Sequence, residues 1–205
     1  MEIKMQYGKK ELCETLSFLV GEEAPLMADK LLGAFGSVRE IFFAEEAEII
    51  RVTGNEKIAL PLKLAASLQS RRITDSFAFL KKHTEEEIKE YFEALFFGFT
   101  SERVYLMSLD DADRVIDCRA VGEGTVNAAG VLPRVLLEIA LSCGASSVIL
   151  AHNHPRGDAS ASAEDINLSI SLYEMFFDGG IKLSEHYIVS ANECRAMKLK
   201  ELVAF

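Results

Sequence analysis

Apolar positions recur at helical spacing through the first hundred residues. Leu12, Leu16 and Leu19 form one series; Leu26, Leu31 and Leu32 form another. Ser37-Val38-Arg39-Glu40 and Thr84-Glu85-Glu86-Glu87 read as capping boxes, in which a hydroxyl and a carboxylate three residues apart satisfy each other's backbone N–H groups. The Ala- and Leu-rich segment from Ala59 to Leu68 predicts a helix, with Pro61 confined to a first turn. A helix from Thr84 to about Phe97 would bury Tyr91, Phe92, Leu95 and Phe96, and His83, at a helix end, is expected to be exposed.

After Phe99 the pattern changes. Val104 to Leu109 reads as a strand, Asp110-Asp111 as a turn and Arg114 to Gly122 as the returning strand of a hairpin. Pro133 opens a helix over Arg134 to Ser142 that ends at Gly144. Ser147 to Ala151 is an apolar strand. A helix runs from about Ala163 to Phe177 and stops at Gly179-Gly180. A strand from His186 to Val189 and a helix from Glu193 to Leu202 complete the series. Strands alternating with helices imply an α/β sheet. The expected organisation is a helical N-terminal domain over residues 1–75 and an α/β sheet domain over 76–205, divided in the polar stretch Arg71 to Asp75.

Composition narrows the class. Of 205 residues, 49% are hydrophobic, enough to build packed cores rather than a disordered chain. Asp and Glu total 32 against 22 Lys and Arg, a formal net charge of -10, and both halves share the excess. That argues against a generic nucleic-acid binder, whose footprint is a basic patch. Cys13, Cys118, Cys143 and Cys194 are scattered, with no CxxC pair, so neither a zinc ribbon nor a dense disulfide framework is indicated. With no apolar run near Met1 and no stretch of about 18 apolar residues, a cytoplasmic chain without a membrane span is expected.

The chemistry concentrates after the third strand. His152 and His154 lie one residue apart at its end, and side chains at i and i+2 of a strand share a face. Asp165 follows eleven residues after His154, one turn into the next helix, where a strand–loop–helix return brings it back to the strand end. Two imidazoles and a carboxylate suit Zn²⁺, and three protein ligands leave a fourth position open. Plainer readings stand beside this one. Such a histidine pair also occurs in loops without metal, and Asp165 completes a capping box opened by Ser162. The two roles of Asp165 are compatible.

His152-x-His154-Pro155, seven residues, then Ser162-x-x-Asp165 resembles the JAMM motif of MPN-domain metallopeptidases, whose fold is cytidine deaminase-like. The surroundings are closest to the RadC family, also called UPF0758. That family typically reads HNHPSGDPTPSREDI, and this chain reads HNHPRGDASASAEDI from residue 152. Gly124-Thr125-Val126-Asn127, Pro133-Arg134 and the strand Glu185 to Val189 extend the similarity. The resemblance implies a JAMM/MPN metallopeptidase-like domain and a zinc-dependent hydrolase acting on a peptide or isopeptide bond of a peptide or protein substrate. His152, His154 and Asp165 would hold Zn²⁺. Glu102, at the entry to the first strand, would be the general base, taking a proton from the attacking water and passing it to the leaving amine. Ser162 would stabilise the developing oxyanion. Glu123, in the far strand of the hairpin, is the less favoured candidate base. His186 reads as a structural or supporting histidine rather than a ligand. Zinc-dependent nucleobase deaminases share the fold, but their P-C-x-x-C signature is missing. Arg156 replaces the family's Ser and is expected to be exposed. Ala159 and Ala161 replace two prolines, which relaxes the loop.

The N-terminal half resembles the family's helix-hairpin-helix region. A DNA-gripping hairpin presents Gly-hydrophobic-Gly to phosphate; here the triplet is Gly54-Asn55-Glu56. Glu56 puts negative charge where phosphate would sit, which favours packing or protein docking over DNA. The rival functional reading is a non-hydrolytic binding protein of DNA metabolism acting through this hairpin.

Overall fold

The structure, a computed structural model, describes residues 2–123, 133–155, 157–191 and 193–202. By its internal contacts the chain divides into two compact units, Met1–Arg72 and Ile73–Phe205. Among the described residues, no helix is long and apolar enough to cross a membrane.

The first unit is helical: α1 (Glu2–Val20), a short 3₁₀ turn, α2 (Ala24–Phe35), α3 (Val38–Phe43), α4 (Glu46–Thr53) and the start of α5 (Glu56–Ser76). Leu12 and Leu16 of α1, Leu31 of α2, Ile41 of α3, Ile49 of α4 and Ile58 and Leu62 of α5 are buried in one core. Leu26, grouped by spacing with Leu31, is instead exposed. Ser37 caps α3 by accepting from the Glu40 N–H at 3.1 Å. Gly54 closes α4 with φ +70°, a left-handed conformation that a side chain would strain. Asn55 then opens α5, its Oδ1 accepting from Lys57 N–H at 3.0 Å. That cap starts α5 three residues before the expected position, so Pro61 lies inside the helix rather than in its first turn. Arg71 to Asp75 is likewise helical.

The second unit is built on one mixed sheet, flanked by α6 (Glu85–Leu95), α7 (Pro133–Cys143), α8 (Ala163–Asp178) and the short α9 (Leu199–Leu202). The strands are β1 (Arg103–Leu109), β2 (Val115–Glu123), β3 (Ser147–Asn153), β4 (Lys182–Val189) and β5 (Cys194–Ala196), in the order β2-β1-β3-β4-β5. β1 is antiparallel to both β2 and β3. β3 and β4 are parallel, which requires the crossover that α8 supplies. Val104, Leu106, Val148 and Leu150 pack on one face with Leu136, Leu172 and Phe176 of the helices. Met107, Ile149, Tyr187 and Val189 pack on the other with Tyr91, Phe92 and Phe96. The α8 crossover brings a helix N-terminus back to the end of β3.

Two expectations fail in this unit. The segment Glu193 to Leu202 is not one helix. Cys194–Ala196 pairs antiparallel with Tyr187–Val189, leaving only Leu199–Leu202 helical. An open sheet edge offered its backbone groups, and pairing with it overrode local preference. His83 is not exposed. It precedes α6, its side chain is 5% accessible, and its ring stacks on Phe77 with centroids 4.0 Å apart. The Thr84–Glu87 capping box is present in both directions.

Candidate metal centre

The end of β3, the loop after it and the first turn of α8 converge on one point. Leu150 and His152 alternate onto the face covered by α8, so the His152 ring points at that helix. His154 lies just past the strand, its backbone N–H donating to Val189 O at 2.8 Å. Ser162 caps α8: Asp165 N–H donates to Ser162 Oγ at 3.1 Å, and Ser162 N–H donates to Asp165 Oδ2 at 2.8 Å. Ser162 Oγ–H also donates to Asp165 Oδ2, at 2.7 Å.

These elements bring His152, His154 and Asp165 together. His152 Nε2 is 2.9 Å from His154 Nε2 and 3.3 Å from Asp165 Oδ1, and His154 Nε2 is 3.6 Å from Asp165 Oδ2. His152 and Asp165 are buried, and His154 is half-buried. Burial holds the His152 imidazole neutral, its pKa pushed down to about 4. The hydrogen bond to Asp165 pushes His154 the other way, against partial burial, and the charge of Glu102 adds to it. Burial alone would raise Asp165. The bonds from His154 and Ser162 outweigh it and hold the carboxyl well below the usual carboxylate range.

Glu102 stands one residue before β1, half-buried, close enough for its charge to act on His154. Arg103 N–H donates to Asn153 Oδ1 at 2.7 Å, and Asn153 Nδ2–H donates to Ser101 O at 3.2 Å. The residue between the two histidines thus bonds both neighbours of Glu102. Glu123 is engaged elsewhere. It pairs in register with Arg103, whose guanidinium it binds at 3.0 Å, and it accepts from Ser101 Oγ at 3.2 Å.

His186 lies within β4, fully buried, and bridges His152 Nδ1 at 2.8 Å and Ser169 Oγ at 2.7 Å. Ser169 and Asn153 did not stand out in the sequence. The available signals were spacing: Ser169 is one helical turn beyond Asp165, and Asn153 separates the two histidines. Arg156 and Gly124 to Asn127 lie outside the described residues.

The profile of the RadC-like JAB domain matches residues 82–202. A UPF0758 protein of Vibrio atlanticus is 31% identical over 169 residues, covering 82% of this chain and 75% of the relative. A UPF0758 protein of Aliivibrio fischeri is 30% identical over 180 residues, covering 84% and 78%. The match spans all five strands and the His152–His154–Asp165 cluster, and the chain belongs to the RadC-like JAB domain family.

Proposed function

We propose that the chain is a zinc-dependent hydrolase of JAMM type that cleaves a peptide or isopeptide bond. The observation that carries this reading is the convergence of two imidazole nitrogens and a carboxylate on one point. His154 Nδ1 lies 2.9 Å from the carbonyl oxygen of Asp158. A carbonyl only accepts, so Nδ1 carries a hydrogen, and Nε2, which faces Asp165, is the nitrogen that a metal would take from the neutral ring. Lone pairs and an anion held this close favour a cation between them. Two ligand atoms held ~2.1 Å from one tetrahedral ion stand about 3.4 Å apart. His152 Nε2 stands 2.9 Å from His154 Nε2 and 3.3 Å from Asp165 Oδ1, near that value, and one ligand atom from each of the three residues lies within 4.8 Å of the others. The donor set fits Zn²⁺, with a fourth position available.

When bound, zinc supplies a Lewis acid that polarises a scissile carbonyl and lowers the pKa of water toward neutrality. The protein's own groups do the rest. Glu102 takes a proton from the attacking water on its carboxylate and returns it to the leaving amine. Ser162 gives up its bond to Asp165 Oδ2 and donates its hydroxyl hydrogen to the developing oxyanion. Asn153 holds the segment carrying Glu102 against β3. Metal analysis of the purified chain, with an activity screen over peptides and ubiquitin-like isopeptides, tests the reading. About one zinc per chain and metal-dependent amide cleavage are expected. A chain that takes up no zinc, or that hydrolyses none of these with zinc bound, overturns it.

A further inference from the structure

Ser169 and His186 are both fully buried, and both are bonded toward the candidate metal centre. Ser169 Oγ lies 2.6 Å from the backbone carbonyl of Asp165, one helical turn back. A carbonyl accepts only, so the single hydroxyl hydrogen of Ser169 goes there. Met197 Sδ, 3.5 Å away, is a much weaker acceptor. Ser169 Oγ therefore accepts from His186 Nδ1 across 2.7 Å, and Nδ1 carries a hydrogen. A second ring proton would place a charge in a fully buried site, so His186 Nε2 is bare. Across 2.8 Å it accepts from His152 Nδ1–H. The neutral His152 ring is then left without a hydrogen at Nε2, which faces Asp165 Oδ1 at 3.3 Å.

The path is closed. It leaves Asp165 at its main-chain oxygen, passes through Ser169, His186 and His152, and returns to Asp165 at its carboxylate. We propose that Ser169 and His186 are positioning residues that fix His152 in the tautomer able to bind a divalent metal. They do so by sending every hydrogen in the circuit toward the Asp165 carbonyl. The inference rests on reading His152, His154 and Asp165 as the zinc site, and it adds the residues that orient the deepest ligand. Partners of this kind set ring orientation and the basicity of a metal-bound imidazole.

Two measurements on the full chain test it. Zinc affinity is read by competition with a chromophoric chelator. Ser169→Ala is expected to weaken it by about 10–100-fold, and Ser169→Thr, which keeps a hydroxyl, to restore it. Far-UV circular dichroism checks that each variant is folded. Long-range ¹H–¹⁵N spectra of the metal-free protein report the tautomers directly, and Nδ1–H is expected on both His152 and His186. Unchanged zinc affinity in folded Ser169→Ala overturns the inference, as does Nε2–H on His152. If the wild-type chain takes up no zinc, the proposed function fails, and the tautomer spectra alone then decide the circuit.

Discussion

Asn153 accepts a hydrogen bond from the backbone N–H of Arg103 at 2.7 Å and so ties the last residue of β3 to the first of β1. Its amide also donates to Ser101 O, so Glu102 sits between two tethered residues. The tether explains how a carboxylate ahead of a strand is held beside the histidines. Asn153→Ala is expected to keep the zinc stoichiometry and lower turnover by up to about 100-fold through misplacement of Glu102. Loss of the two bonds should also cost about 1–3 kcal/mol of stability. Asn153→Asp, which retains the acceptor for Arg103 N–H, should fall between. Turnover in Asn153→Ala equal to the wild type would show that Glu102 needs no such tether.

Glu102 and Glu123 make a paired test of the base. Glu102→Gln removes the proton acceptor at nearly constant size and is expected to lower amide hydrolysis by about 10²–10⁴-fold without loss of zinc. Glu123→Gln breaks only an ion pair with Arg103 on the exposed side of the hairpin. Exposed pairs are worth about 0–1 kcal/mol, and activity should persist. Steady-state rates at saturating zinc separate the two. A reversed order would move the base to Glu123.

Much of this arrangement was legible because it is local. A capping box is encoded within four residues, and both Thr84–Glu87 and Ser162–Asp165 form as their sequences indicate. The hairpin of β1 and β2 and the apolar β3 follow from short-range alternation. What escaped depends on distant partners. Cys194–Ala196 becomes a strand because β4 offers an open edge. His83 is buried by Phe77, which no helical pattern relates to it. Ser169 and His186 are 17 residues apart and meet only after the α8 crossover has formed. Pro61 misled for a different reason: the cap at Asn55 lengthened α5 toward its N-terminus.

Ser162 is expected to join helix stability to metal binding. Its hydroxyl accepts the Asp165 N–H and donates to the Asp165 carboxylate. Ser162→Ala should cost about 0.5–2 kcal/mol as a lost helix cap, read as a lower thermal midpoint. It should also weaken zinc uptake, because Asp165 Oδ2 keeps the Ser162 N–H but loses the hydroxyl, one of the two donors that orient it. Ser162→Gly replaces the cap with a residue that costs only a few tenths of a kcal/mol at this position. It is therefore expected to recover most of the stability and none of the zinc affinity. Recovery of both would mean that the hydroxyl serves the helix alone.

Zinc should raise the thermal midpoint without being required for folding. The sheet unit has an apolar core on each face of the sheet, built from residues such as Phe176 and Phe92 that are apart from the metal donors. The metal-free chain is therefore expected to unfold cooperatively. A ligand bound to the folded state at 100 times its Kd adds about 2.7 kcal/mol, a shift of several degrees that a chelator reverses. Calorimetry with and without chelator reads it. A metal-free chain that shows no cooperative transition would instead make zinc a structural requirement.

The helical unit bears on DNA. Gly54 turns the chain in a left-handed conformation between α4 and α5, as a helix-hairpin-helix requires. The groups that would meet phosphate are nevertheless occupied or opposed. Asn55 Oδ1 already takes the Lys57 N–H, and exposed Glu56 is the first residue of α5. A net charge of -10 adds long-range repulsion. Binding to duplex DNA at physiological salt is expected to be weaker than the ~10⁻⁴ M limit of ordinary non-specific binders. Fluorescence anisotropy over a salt series measures it. Tight binding that falls steeply with salt and survives Asp165→Ala would place the function in the hairpin rather than at the histidines.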